Sequence, residues 1–147
     1  MLTPEQKLAH IQQFSQNTMV THLGIQITDL GQDYLVGTMP VDERTIQPAG
    51  ILHGGASVVL AETLGSIASS MHVDMSQQTV VGLEINANHI RSVRKGGQVR
   101  GRAQAIHLGR KTHVWDIRIT DTATDKLVCV SRLTMAIIDL SPKNSLP

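Results

Sequence analysis

Glu62 is the side chain in this sequence best placed to do chemistry. From Thr45 to Val73 it is the only formally charged residue. A carboxylate in so apolar a stretch is costly unless it is paired or used. Burial would raise its pKa toward the range useful for acid–base work. An ion pair with Arg91 or Arg132 accounts for Glu62, taken alone, equally well. Just upstream, His53-Gly54-Gly55 stands where a loop becomes a helix. The first amides of a helix have no internal partners, and the positive end of the dipole lies there. Two glycines let a ligand carbonyl come close to the backbone, as an oxyanion site requires. The plainer account is a tight helix entry capped by His53, and three such residues alone are a weak signal. Gly55 and Glu62 share a helix face but stand about 10 Å apart along the axis. One small carbonyl cannot touch both on the same helix. A two-fold dimer with antiparallel helices brings Gly55 of one chain to Glu62 of the other, which predicts an obligate dimer with two composite sites. Ser66, one turn after Glu62, is then placed to hold a water or the carboxylate.

Charge placement is the next feature. Arg91, Arg94, Lys95, Arg100, Arg102, Arg110 and Lys111 fall between Glu84 and Asp116, with no acidic residue among them. Such a cluster makes a local positive surface that suits a phosphate-bearing ligand, or else a solvated sheet face. The whole chain carries a net charge of only +1 and three aromatic residues, Phe14, Tyr34 and Trp115. That excludes bulk electrostatic binding of nucleic acid and base-stacking platforms. The single cysteine, Cys129, excludes an intramolecular disulfide and a cysteine-based zinc site, and it suits a reducing compartment. His22, His72, His89, His107 and His113 show no metal-ligand spacing, so we expect no metal. There is no GxSxG and no Walker loop. No run is long or apolar enough to span a membrane, and no targeting segment is visible, so a cytoplasmic protein is expected.

These residues need a scaffold, and the pattern supplies one. Thr3-Pro4-Glu5-Gln6 reads as a capping box that starts a short helix over 4–16. Strands are expected at Gly24–Leu30 and Tyr34–Pro40, then a loop over Val41–Leu52. The segment from Gly54 to about His72 is a helix apolar nearly all round, which belongs inside. Strands follow at Thr79–Ile90, Gln98–Leu108, Thr112–Asp121 and Leu127–Ile138, joined by short turns that favour antiparallel neighbours. Residues 139–147 read as a frayed tail. The 147 residues make one domain of α+β class, a curved antiparallel sheet of five to six strands wrapped around one long helix.

From Gln47 through Gly55 and on to Ser66, the sequence resembles the hot-dog-fold acyl-CoA thioesterases. Within them it is similar to the branch holding the dihydroxynaphthoyl-CoA hydrolases of menaquinone biosynthesis and the enterobactin proofreading thioesterases. A second block, Val80 to Ser92, and His107-Leu108-Gly109-Arg110 carry the same resemblance, which spans about residues 17–138. It implies that Glu62 acts as nucleophile or general base and that Gly55 supplies the oxyanion amide. It implies that Gln47 and His53 contact the thioester and that Ser66 stands near the water. CoA contacts then fall on Gly82, on His89, Ile90, Arg91 and Ser92, and on His107, Leu108, Gly109, Arg110, Lys111 and Thr112. A homo-oligomer is implied, a dimer of dimers with sites at the dimer interface. No cofactor is implied, because CoA belongs to the substrate. The turn Arg94–Gly97 is one residue longer than in the relatives. Related phenylacetate-pathway enzymes carry aspartate on this helix, so the glutamate favours the aryl-CoA branch. The alternatives are a proofreading thioesterase acting on a carrier protein, a hot-dog dehydratase, and a non-catalytic acyl-CoA sensor.

Overall fold

The computed structural model describes residues 3–140. Its first helix, α1 (Pro4–Phe14), begins as the sequence dictates. The Thr3 hydroxyl accepts from the Gln6 amide at 3.2 Å while the Gln6 side chain accepts from the Thr3 amide at 2.9 Å. It ends two residues earlier than expected. Asn17 turns the chain at φ +60°, and Thr18 then caps a short second helix, α2 (Met19–His22), that the periodicity did not show. Gly24, at φ +71°, closes that helix, so the first strand starts at Gln26 rather than Gly24.

Among the described residues six strands form one antiparallel sheet. They are β1 (Gln26–Leu30), β2 (Tyr34–Pro40), β3 (Gln78–His89), β4 (Gln98–Leu108), β5 (Thr112–Asp121) and β6 (Leu127–Asp139), in the order β1-β2-β4-β5-β6-β3. Alternation decides which side chains face in. Val99, Ala103, Trp115, Ile117, Ile119 and Leu133 are fully buried, and their neighbours along each strand point outward. Asp139, expected in a frayed tail, instead closes β6 opposite Gln78 and pairs with Lys111 at 2.6 Å. Leu140 follows it, its amide donating to the Gln77 carbonyl at 2.8 Å, and residues 141–147 of that tail lie outside the described residues.

The long helix, α3 (Gly54–Ser70), lies across the inner face of the sheet. It approaches closely at Gly101, where a Cβ would come within 2.6 Å of Leu64. Leu60, Ala61, Leu64 and Ala68 face the sheet and are buried, and Ser69 accepts a 2.7 Å hydrogen bond from the indole of Trp115. The expectation of a fully enclosed helix needs correction. Val58, Val59, Glu62, Thr63, Ser66 and Ile67 are only half-buried, because one chain's sheet curves around one side of α3. Among the described residues no helix is long and apolar enough to cross a membrane.

Candidate active site

Glu62 stands on the side of α3 that the sheet leaves uncovered. It is half-buried rather than enclosed. Neither expected arginine partner reaches it. Arg91 donates to the Leu127 carbonyl at 2.8 Å, and Arg132 lies 3.8 Å from Asp116. The carboxylate instead rests on the backbone of β3. A Cβ at Gly82 would come within 2.7 Å of Glu62 Oε1, so only glycine leaves room for the carboxylate where it lies. Gly82 also borders a register shift in the β3–β6 ladder, between Gly82 and Glu84. A cavity of about 320 Å³ opens beside Glu62, bounded by Met19, Val20, Val59 and Thr63.

The start of α3 is built as the plainer account has it, a tight entry capped by His53. His53 is its N-cap, and His53 Nδ1 accepts from the Gly55 amide at 2.8 Å. The Gly55 amide is therefore engaged. Ala56 and Ser57 donate to the His53 carbonyl, which leaves the Gly54 amide without an acceptor among the described residues. The His89 ring packs against Gly54, where a Cβ would meet Nε2 at 2.8 Å. Gln47 sits in the preceding loop, its side-chain oxygen accepting from the Ala49 amide at 2.6 Å. Around the helix start, Gln47, Gly54, Ser57, His89, Arg91 and Ser92 line a cavity of about 340 Å³, with Ile90 also on its wall.

Comparison with known proteins gives this arrangement a family. Residues 49–128, which run from the loop before α3 into β6, match the thioesterase superfamily. The chain is 53% identical to the 1,4-dihydroxy-2-naphthoyl-CoA hydrolase of Escherichia coli K12, over 84% of this chain and 88% of that one. It is 54% identical to the proofreading thioesterase EntH of Cronobacter sakazakii, over the same shares. Among solved structures, a Pseudomonas aeruginosa thioesterase superposes with a TM-score of 0.86 at 51% identity, covering 90% of this chain and 94% of that one. The chain belongs to the thioesterase superfamily. It has the hot-dog fold and is an enzyme that hydrolyses thioesters.

Other positions singled out in the sequence fall elsewhere in this thioesterase. Leu108, Gly109, Arg110 and Lys111 line a third cavity of about 580 Å³, together with Gln78 and Asp139. His107 packs against Gly109, and the Thr112 carbonyl accepts from the Gly109 amide at 2.9 Å. This cavity contains the first residue of β3, and the helix-start cavity contains the last. At about 3.3 Å per residue the two lie roughly 35 Å apart along the strand. Within one chain the expected CoA contacts therefore form two groups. Ser66 does not hold the carboxylate; its hydroxyl points at Met135 Sδ, 3.8 Å away. The basic run is largely paired. Lys95 meets Glu43 at 2.6 Å, Arg100 meets Asp125, and Arg102 stacks on Tyr34 at 3.8 Å. Arg100 and Arg102 stand on the solvated face of β4 and Lys95 in the turn before it, and Arg91 and Arg110 line cavities.

Two features escaped the sequence reading. The seating of Glu62 on Gly82 had one signal, an unbroken strand pattern interrupted by glycine. His113, 3% exposed, shares its parity with the inward-facing Trp115, Ile117 and Ile119, so alternation alone could have placed it in the core. Burial pushes its imidazole below the ordinary histidine range, and the nearby His72 and His107 push the same way.

Proposed function

We propose that this thioesterase hydrolyses aromatic acyl-CoA esters, 1,4-dihydroxy-2-naphthoyl-CoA foremost, with Glu62 as the reacting carboxylate. The observation that carries this reading is Glu62 itself. It is half-buried, without a basic partner among the described residues, and is seated on Gly82 beside an open cavity. A carboxylate held in that way is available either to attack a thioester carbonyl or to take a proton from water. The names of the relatives in Escherichia coli and Cronobacter support the aryl substrate class.

The start of α3 supplies the other half of the chemistry in this reading. As the tetrahedral intermediate forms, its oxygen takes the Gly55 amide in place of His53 Nδ1, with the Gly54 amide beside it. Gln47 and His53 hold the ester, and Ser66 lines the approach to Glu62. Gly55 and Glu62 are too far apart on one helix to act on a single carbonyl, so the site is shared between two chains. Strand β3 is the natural seam. It is an edge strand of twelve residues with Val81 and Leu83 exposed, and an edge of that length pairs readily with its own copy. Antiparallel pairing about a two-fold axis carries the two copies of α3 side by side in opposite directions. Two such dimers make the tetramer. CoA then runs from His89, Ile90, Arg91 and Ser92 toward the hairpin His107–Thr112, with its phosphates near Arg91 and Arg110. The reaction calls for no metal and no cofactor.

The test is thiol release from benzoyl-CoA and 1,4-dihydroxy-2-naphthoyl-CoA by the wild type and by Glu62→Gln. The expected result is fast release by the wild type, fastest for the naphthoyl ester, with kcat reduced at least about 100-fold in the variant. Equal rates remove Glu62 from the chemistry. Release from an aryl carrier protein in preference to either CoA ester replaces the CoA reading with the proofreading one.

A further inference from the structure

A groove runs from Glu62 along α3 toward the helix's C-terminal end. The cavity beside Glu62 has Ser66 and Ile67 on its wall, and the same two residues begin a second cavity of about 370 Å³. Its far walls are α1, through Ile11 and Phe14, and the strand side, through Met75 and Val80. Four of these side chains are apolar, and the polar groups near them are mostly engaged. The Ser15 hydroxyl donates to the Ile11 carbonyl at 2.8 Å, and the Ser70 hydroxyl donates to the Ile67 carbonyl at 2.7 Å. His10 is the one titratable group on the wall. Phe14 is 81% exposed, far more than packing of α1 requires of a phenyl ring, and α1 buries none of its residues.

We infer that this groove holds the distal part of the acyl group and that Phe14 is a specificity-determining residue that contacts the second ring of a fused-ring substrate. The inference rests on Glu62 as the reacting carboxylate. Ser66 lies about 6 Å beyond Glu62 along the helix and Ser70 about 12 Å. A single aromatic ring spans about one helical turn, about 5.4 Å. With its carbonyl carbon at Glu62, such a ring ends against Ser66 and Ile67. A fused second ring enters the next turn, where Ile11, Phe14, Met75 and Val80 surround it. The first ring gains nothing from α1, and the second gains most of its apolar contact there.

The experiment compares two esters that share a hydroxyl beside the carbonyl and differ only in the fused ring, 2-hydroxybenzoyl-CoA and 1-hydroxy-2-naphthoyl-CoA. Phe14→Ala is measured against the wild type as the full-length oligomer. The expected result is a rise of about tenfold in KM for the naphthoyl ester with kcat unchanged, the mark of lost uniform binding. Both parameters for the benzoyl ester stay within about twofold. Because Phe14 is exposed, the variant folds, and a general structural defect would move both esters alike. Equal changes for both esters, no change for the naphthoyl ester, or a wild type that cleaves only the benzoyl ester each overturn the inference. Glu62→Gln cleaving 2-hydroxybenzoyl-CoA at the wild-type rate removes the premise instead, and that failure is read without Phe14.

Discussion

Gly82→Ala tests how finely the reacting carboxylate is placed. The added methyl would stand 2.7 Å from Glu62 Oε1, whereas ordinary contact begins near 3.4 Å. The carboxylate must retreat by about 0.7 Å, and it can, because it is the far end of a flexible side chain. Gly82 has no positive φ and the new methyl meets no other group as closely, so the fold loses little. Displacements near 1 Å at a reacting group cost up to about 100-fold in rate. We therefore expect kcat to fall by about 10- to 100-fold, or about 1.4–2.8 kcal/mol of barrier. The unfolding free energy from urea denaturation stays within about 0.5 kcal/mol of the wild type. The assay is continuous thiol release at saturating aryl-CoA, paired with urea denaturation of the same preparations. An unchanged kcat would refute the reasoning, since it would mean that the Glu62 position against β3 is immaterial to the chemistry. A large loss of stability would show that Gly82 serves the sheet and not the carboxylate.

Two further outcomes concern the core. Ser69→Ala leaves the fully buried indole of Trp115 without its 2.7 Å acceptor and should cost about 1–3 kcal/mol, read as a lower urea midpoint at unchanged slope. The second concerns pH. Because the His113 imidazole titrates below its unfolded value of about 6.5, the unfolded chain takes up a proton that the folded chain refuses. The stability tied to His113 is complete above about pH 6.5 and declines as pH falls below it. Urea midpoints measured from pH 7.5 to 5 should fall toward acid, and His113→Gln should flatten that slope; a slope unchanged in the variant contradicts the assignment.

The architecture was legible wherever one face of an element decides its burial. Val99, Gly101 and Ala103 alternate with Arg100, Arg102 and Gln104, and the strand follows. Thr3 and Gln6 announce the first helix by the hydrogen bonds they later make. Short-range turn chemistry was harder to read. Asn17 at φ +60° and Thr18 as a cap create α2 within six residues, too few for any period to emerge. The site was legible in its residue types and less so in their pairings. Glu62 stands out because its stretch is otherwise uncharged, yet nothing local says that its carboxylate lies on Gly82, twenty residues on and in another element. The capping role of His53 is legible in its place before two glycines, and the helix start shows it. The core wall of α3 was also overdrawn. Leu64 and Ala68 are 0% and 2% exposed against the sheet, whereas Ile67 faces the groove.

The position of β3 in the sheet sets an order on how the enzyme is made. Gly82 and His89 belong to a strand that follows the glutamate helix directly, yet among the described residues its only neighbour in the sheet is β6. The segment Leu127–Asp139 is synthesised about 40 residues after β3 ends. At about 5–20 residues per second, β3 waits several seconds with both edges open. The surface on which Glu62 rests is thus among the last parts of the fold to form. A chain stalled before β6 would carry the glutamate, the helix start and β3 without the strand that holds β3 in the sheet beneath the carboxylate.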